Sequence, residues 1–135
     1  KFNPIVENLR GQRVVVVDDS IVRGTTTPRI VSLLRAAGAR EVHLRITSPP
    51  IMHPCYLGVD MATYAELIAA NLTIPQICER VGADSLGYLS IERLVESTGR
   101  DRGDLCLGCL NGRYPSVPAS SGDKVQADRQ PALKG

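Results

Sequence analysis

No stretch of the 135-residue sequence approaches the ~18 consecutive apolar residues that a membrane-spanning helix needs, and the opening Lys-Phe-Asn-Pro has no basic-then-apolar signal region. Membrane partners are set aside, and a cytoplasmic location is expected. Charge bias is missing too: 16 basic residues are scattered among 14 acidic ones, leaving +2, which gives no footing for a nucleic-acid partner. Neither an internal repeat nor a disordered composition is present, since 43% hydrophobic and 22% charged residues are the balance of a globular domain. There is no initiator methionine, and a chain that starts at Lys1 is expected to be part of a longer polypeptide. Aromatic residues are scarce, with no Trp and one Phe, and against them four cysteines stand out: Cys55, Cys78, Cys106 and Cys109. In a cytoplasmic protein such cysteines bind metal or sit buried more often than they form disulfides.

Among what is present, the clearest element is Val14 to Val17, four β-branched residues that suit a parallel strand covered on both faces. A helical pattern follows through Arg35, with Pro28 in its first turn and Gly38 at its C-terminal cap. Glu41 to Ile46 alternates apolar and polar residues and reads as a second strand, so that strand, helix and strand make a βαβ unit. Prolines 49, 50 and 54 then hold an extended loop up to Cys55. Capping-box spacing at Thr63–Glu66 and Thr73–Gln76 predicts short helices over 64–71 and 74–81, the second closed by Gly82. A short strand over 86–89 and a helix over 91–97 capped by Ser90 complete the ordered pattern. Residues 116–135, rich in Ser, Pro, Gly, Ala and charge, are expected to form a flexible tail.

The first strand ends in Asp18 and Asp19 and runs into a Gly/Thr loop that opens a helix. In open α/β sheets, ligands bind at the carboxyl ends of the strands, which places both carboxylates in a site. Free amides from about Arg23 to Thr27 point out of the helix N-terminus, where the macrodipole supplies roughly half a positive charge, and the Thr25, Thr26 and Thr27 hydroxyls add donors. That end suits a phosphate, while the acidic end suits polyol hydroxyls or Mg²⁺, so a phosphorylated sugar is gripped at both ends. An apolar strand ending in two aspartates also opens receiver domains of response regulators, with Asp60 near the phosphoacceptor position. Those domains need a lysine at a later strand end, and the lysines here are Lys1, Lys124 and Lys134. In the blandest reading, Asp18 and Asp19 merely cap a turn.

Cys106 and Cys109 form a C-x-x-C around Gly108, a spacing that lets two thiolates reach one metal or cluster. Cys55 is a candidate third ligand. Cys78, on the helix over 74–81 beside Ile77, reads as core packing. Zinc with His53 or Cys78 and plain thiols remain alternatives to a cluster.

The sequence V-V-V-V-D-D-S-I-V-R-G-T-T-T, residues 14–27, resembles the phosphoribosylpyrophosphate loop of type I phosphoribosyltransferases. Downstream, T-S-P-P (47–50), H-P-C-Y-L-G-V-D (53–60), E-L-I-A-A (66–70), G-A-D-S-L-G-Y-L-S (82–90) and C-L-G-C-L-N-G-R-Y-P (106–115) resemble the glutamine amidophosphoribosyltransferase family, so the likeness covers residues 1–115 almost continuously. The resemblance implies the C-terminal half of a Rossmann-like parallel α/β sheet (1–50), a small helical and cysteine-bearing region of the same domain (51–115) and the tail. It implies that Asp18 and Asp19 bind ribose hydroxyls and Mg²⁺, and that Ser20, Ile21, Val22, Arg23, Gly24, Thr25 and Thr26 hold the 5′-phosphate. The family's reaction displaces pyrophosphate from C1 with glutamine-derived ammonia, giving 5-phosphoribosylamine, the first committed step of de novo purine synthesis. One branch carries a 4Fe-4S cluster whose ligands match Cys55, Cys106 and Cys109, the fourth lying upstream in sequence this chain does not contain. The glutaminase catalytic cysteine of the family also has no counterpart here. Homo-oligomers inhibited by purine nucleotides are implied as well. A non-catalytic phosphoribosylpyrophosphate-binding regulator is the nearest alternative, because the same loop serves in sensor proteins.

Overall fold

The computed structural model describes residues 6–57 and 63–115; residues 1–5, 58–62 and 116–135 lie outside them, and with them Asp60 and the expected tail. After a single helical turn, α1 (Val6–Leu9), the valine run forms β1 (Arg13–Asp18) and leads through the Gly/Thr loop into α2 (Thr27–Ala36). β2 (Glu41–Ile46) lies parallel to β1, with Val14 opposite Val42 and Asp18 opposite Ile46. Two short helices, α3 (Ile68–Asn71) and α4 (Ile74–Val81), precede β3 (Ser85–Tyr88), which pairs parallel to β2. Sheet order is therefore β1-β2-β3. Beyond it come α5 (Ile91–Thr98), a 3₁₀ turn (Arg102–Asp104) and α6 (Gly108–Asn111).

The period-2 pattern of β2 sends Val42, Leu44 and Ile46 to one face, where they meet Val31 of α2, Ile68 and Ala69 of α3, and Ile77 and Val81 of α4. Two caps fix the helix ends that the sequence marks. Thr73 and Gln76 exchange the reciprocal bonds of a capping box, and Ser90 Oγ accepts the Arg93 amide at 3.2 Å. Gly82 closes α4 at φ 75°, a left-handed position that glycine adopts without penalty.

The structure departs from the sequence pattern in three places. The valine run reads as covered on both faces, yet among the described residues only one face is covered: Val15 and Val17 are 59% and 66% exposed. Their face continues in a polar network, with Glu41 taking Arg13 at 2.6 Å and His43 at 3.0 Å, while His43 Nδ1 meets Ser85 Oγ at 2.9 Å. The helix predicted over 64–71 shrinks to its last turn. Glu66 does close on the Thr63 amide at 3.1 Å, but Leu67 turns extended (ψ 109°) and is wholly buried, so an inward contact outweighs helical continuation. The third strand sits one residue earlier than the pattern over 86–89.

Asp84 ties this layer together, accepting the Val42 amide at 2.6 Å and Arg35 Nη2 at 2.8 Å. The Val42 N–H, helped by Arg35, holds its carboxyl below the usual carboxylate range. A carboxyl depressed on folding stabilises above its unfolded pKa, and that contribution is lost as pH falls through the folded value. Asp84→Asn should accordingly flatten the acid limb of a stability-versus-pH profile from urea unfolding. Parallel acid limbs for the two proteins would contradict the assignment.

Candidate functional site

Asp18 ends β1 on the parallel sheet's carboxyl edge, and the chain then leaves the sheet through residues 19–26. The next strand steadies that exit: the Thr47 amide donates to the Asp18 carbonyl at 2.9 Å and the Ser48 amide to the Asp19 carbonyl at 3.0 Å. Ile21 turns into the main core at 2% exposure, while Val22 packs on a second cluster made by Ile51 and Leu67. The Val22 carbonyl accepts the Ile68 amide at 2.9 Å, and Arg23 pairs with Glu66 at 3.2 Å. Gly24 passes α3 at φ 67°, so close that a Cβ there would overlap the end of Ile68.

Pinned from both sides, the loop bonds through its carbonyls and through the Ser20 and Arg23 side chains, and its backbone donors from residue 21 on stay unused. Among the described residues, no acceptor meets the backbone amides of residues 21–27. Thr26 caps α2 without a side-chain bond, so the helix's positive end is open as well. These groups surround a cavity of about 220 Å³ lined by Asp18 and residues 20–27. Every residue expected to hold a phosphate is thus at the cavity; Ile21 and Val22 bury their side chains and present backbone. Asp19 does not line it. Its carboxylate accepts the Ser20 hydroxyl at 3.1 Å, and Asp18 accepts the Asp19 amide at 3.0 Å. The Ser20 hydroxyl foremost, then Asp18, keeps the Asp19 carboxyl below its ordinary range.

Cys109 and Leu110 pack against the Ile51–Leu67 cluster, and Cys109 lies near Cys55 and Cys106. The Cys109 carbonyl accepts the amides of Met52 and His53 at 2.9 and 3.0 Å, docking α6 onto the proline loop that carries Cys55. Burial pushes the Cys109 thiol up, and the neighbouring Cys55 and Cys106 push it further. Cys78 stands apart: its thiol donates to the Ala83 carbonyl at 3.3 Å and is pushed up by burial and Asp84. Among the described residues, no three of His, Cys, Asp and Glu converge tightly enough for a single metal ion. His53 Nδ1 is engaged by Tyr64 at 2.8 Å.

Sequence reasoning missed Glu66, Leu67 and Ile68 as the brace of the loop, and Tyr114 as the tie between thiol segments. It also missed two buried hydroxyls without partners, Ser48 Oγ and Tyr88 Oη, which follow or end β2 and β3 on the same sheet edge; burial pushes Tyr88 up to about 12. The E-L-I-A-A and G-R-Y-P motifs contain the brace and the tie but do not reveal their contacts. The brace is testable at Gly24. A left-handed alanine costs about 1–2 kcal/mol, and Gly24→Ala must also displace Ile68, so denaturant unfolding should show at least that loss; an unchanged midpoint would contradict the close approach.

No protein-family model matches the chain. Individual proteins do. It is 58% identical over 116 residues to an amidophosphoribosyltransferase of Methanocaldococcus jannaschii, covering 86% of this chain and 24% of that protein. With the amidophosphoribosyltransferase of Methanothermobacter thermautotrophicus the figures are 52% over 129 residues, 96% and 27%. Among solved structures, the glutamine phosphoribosylpyrophosphate amidotransferase of Bacillus subtilis complexed with ADP and GMP superposes with a TM-score of 0.76 at 50% identity, over 82% of this chain and 25% of that one. The chain spans about a quarter of the length of the curated relatives it matches. In sequence and in fold, the chain is similar to about a quarter of an amidophosphoribosyltransferase.

Proposed function

We propose that this chain supplies the phosphoribosylpyrophosphate-binding part of an amidophosphoribosyltransferase, which transfers glutamine-derived ammonia to C1 and releases pyrophosphate. The observation that carries this reading is the run of amides over residues 21–27, unpaired among the described residues, on a cavity that Asp18 also lines. Those amides, the open end of α2 and the Thr25 and Thr26 hydroxyls hold the 5′-phosphate. Asp18 and Asp19 take the ribose hydroxyls. As the nitrogen–C1 bond forms, the C1–O bond to pyrophosphate breaks and the nitrogen sheds a proton. Positive charge growing at C1 is met by carboxylates, of which Asp19 is kept ionised by its bonds.

Two carboxylates on the sheet edge also fit Mg²⁺, which binds through one or two protein carboxylates together with substrate phosphates. When bound, Mg²⁺ offsets the charge of the departing pyrophosphate. Cys55, Cys106 and Cys109 fit three ligands of a 4Fe-4S cluster: all are soft thiol donors, and Cys109 neighbours both Cys55 and Cys106. Such a cluster supplies a cross-link between the proline loop and α6. The remaining ligand, the glutamine site and the homo-oligomer contacts belong to the longer protein. Purine nucleotides are proposed as inhibitors because the Bacillus relative was solved with ADP and GMP. The cytoplasm is the proposed location, and no described helix is long and apolar enough to cross a membrane. Likeness to the enzymes extends through the thiol region, which favours catalysis over a phosphoribosylpyrophosphate-binding regulator.

Calorimetric titration of the full-length protein with phosphoribosylpyrophosphate and Mg²⁺ should show binding that Asp18→Asn with Asp19→Asn largely removes; equal affinity in the variant would sink the loop assignment. Anaerobically purified protein should be brown and carry about four iron and four sulfide per chain, as a cubane cluster requires. Colourless protein with one zinc would overturn the cluster.

A further inference from the structure

We propose that Tyr114 is the positioning residue that sets where Cys55 stands relative to Cys106 and Cys109, a role that rests on reading those thiols as cluster ligands. Its hydroxyl donates to the carbonyl of Pro54, the residue before Cys55. Its ring lies on Gly108, between the two cysteines of the C-x-x-C, where a Cβ would overlap ring carbons. Tyr56, the residue after Cys55, meets the same ring edge-on at a centroid separation of 5.0 Å. One side chain therefore touches both neighbours of Cys55 and the backbone between Cys106 and Cys109.

The glycine and the tyrosine are matched parts. Gly108 is buried and has no positive φ, so no backbone conformation demands glycine there. What demands it is room for the ring. Gly112 plays the companion role, capping α6 at φ 74° while the His53 ring packs 3.1 Å from where its Cβ would stand. The Cys109 carbonyl bonds fix the backbone of Met52 and His53, upstream of the thiol. Tyr114 carries the tie on to Cys55 itself. Burial pushes the Tyr114 phenol up, so it stays a donor to Pro54 at neutral pH.

The test uses full-length protein and two variants, Tyr114→Phe, which keeps the ring and loses the bond, and Gly108→Ala, which displaces the ring. In the metal-free, reduced form, iodoacetamide labelling of each cysteine is followed by mass spectrometry, with Cys78 as the internal reference outside the site. Tyr114→Phe should speed labelling of Cys55 and Cys109 by roughly two- to tenfold, the effect of losing one net hydrogen bond, and Gly108→Ala should do so at least as much, with Cys78 unchanged. After anaerobic loading with iron and sulfide, both variants should bleach faster in air than the parent. Unchanged Cys55 labelling in both variants, or all four thiols accelerating together as in general unfolding, would overturn the role. So would equal loading and equal bleaching beside a parent that loads. If the thiol rates shift as expected but no protein, parent included, takes up iron and sulfide, the cluster reading fails while the positioning of Cys55 by Tyr114 stands.

Discussion

The Ile68 amide donates to the Val22 carbonyl, and this bond decides what the loop after β1 is able to do. A loop of this kind ordinarily spends its amides on its own carbonyls, closing turns. Here α3 and the two residues before it do the closing from outside: Ile68 takes the carbonyl, its side chain fills the space at Gly24, Glu66 holds Arg23, and Leu67 packs against Val22. Shape is thereby imposed without consuming donors, and the amides of residues 21–27 remain for a ligand. Unpaired amides are costly when buried, but these face a solvent-filled cavity and pay little until an anion arrives.

Legibility in the sequence follows the range of the forces involved. β2, α2 and α4 are set by periodicity and caps within a few residues, and they form as the pattern says, down to the Thr73–Gln76 box. The position of the loop at a cavity was legible for the same reason, since a strand end, a carboxylate pair and a helix start are local signals. Contacts between distant segments were not. The Thr63–Glu66 box forms its bonds, yet the helix it announces loses its first four residues, 64–67, as Leu67 turns inward and is buried. Val15 and Val17 mislead in the opposite sense: β-branched residues in a row fit a doubly covered strand, and the second cover is not among the described residues. Single-turn α6 lies below the length at which periodicity speaks; it exists because Gly108 and Gly112 accept Tyr114 and His53.

The two sites differ in how they treat charge. At the sheet edge, hydrogen bonds favour the ionised form: the Ser20 hydroxyl and Asp18 lower Asp19, and the Thr63 amide and Arg23 lower Glu66. Around the thiols, burial favours the neutral form, raising Cys109 and Tyr114 together. The first arrangement keeps negative charge at the sheet edge. In the second, the Cys109 thiol is costly to ionise, so a thiolate there is favoured only by a positive partner.

Between these sites stands one small apolar cluster. Val22, Cys109 and Leu110 all pack against Leu67, fully buried, and Ile51. Deleting buried leucine methyls costs about 2–5 kcal/mol and leaves a cavity that neighbours relax into only partly. At this position the relaxing neighbours are the phosphate loop and the thiol-bearing helix, so the same lost packing is felt at both. Leu67 thus answers two demands at once: by turning inward it ends the helix that the Thr63 box begins, and by doing so it frees the Ile68 amide for Val22.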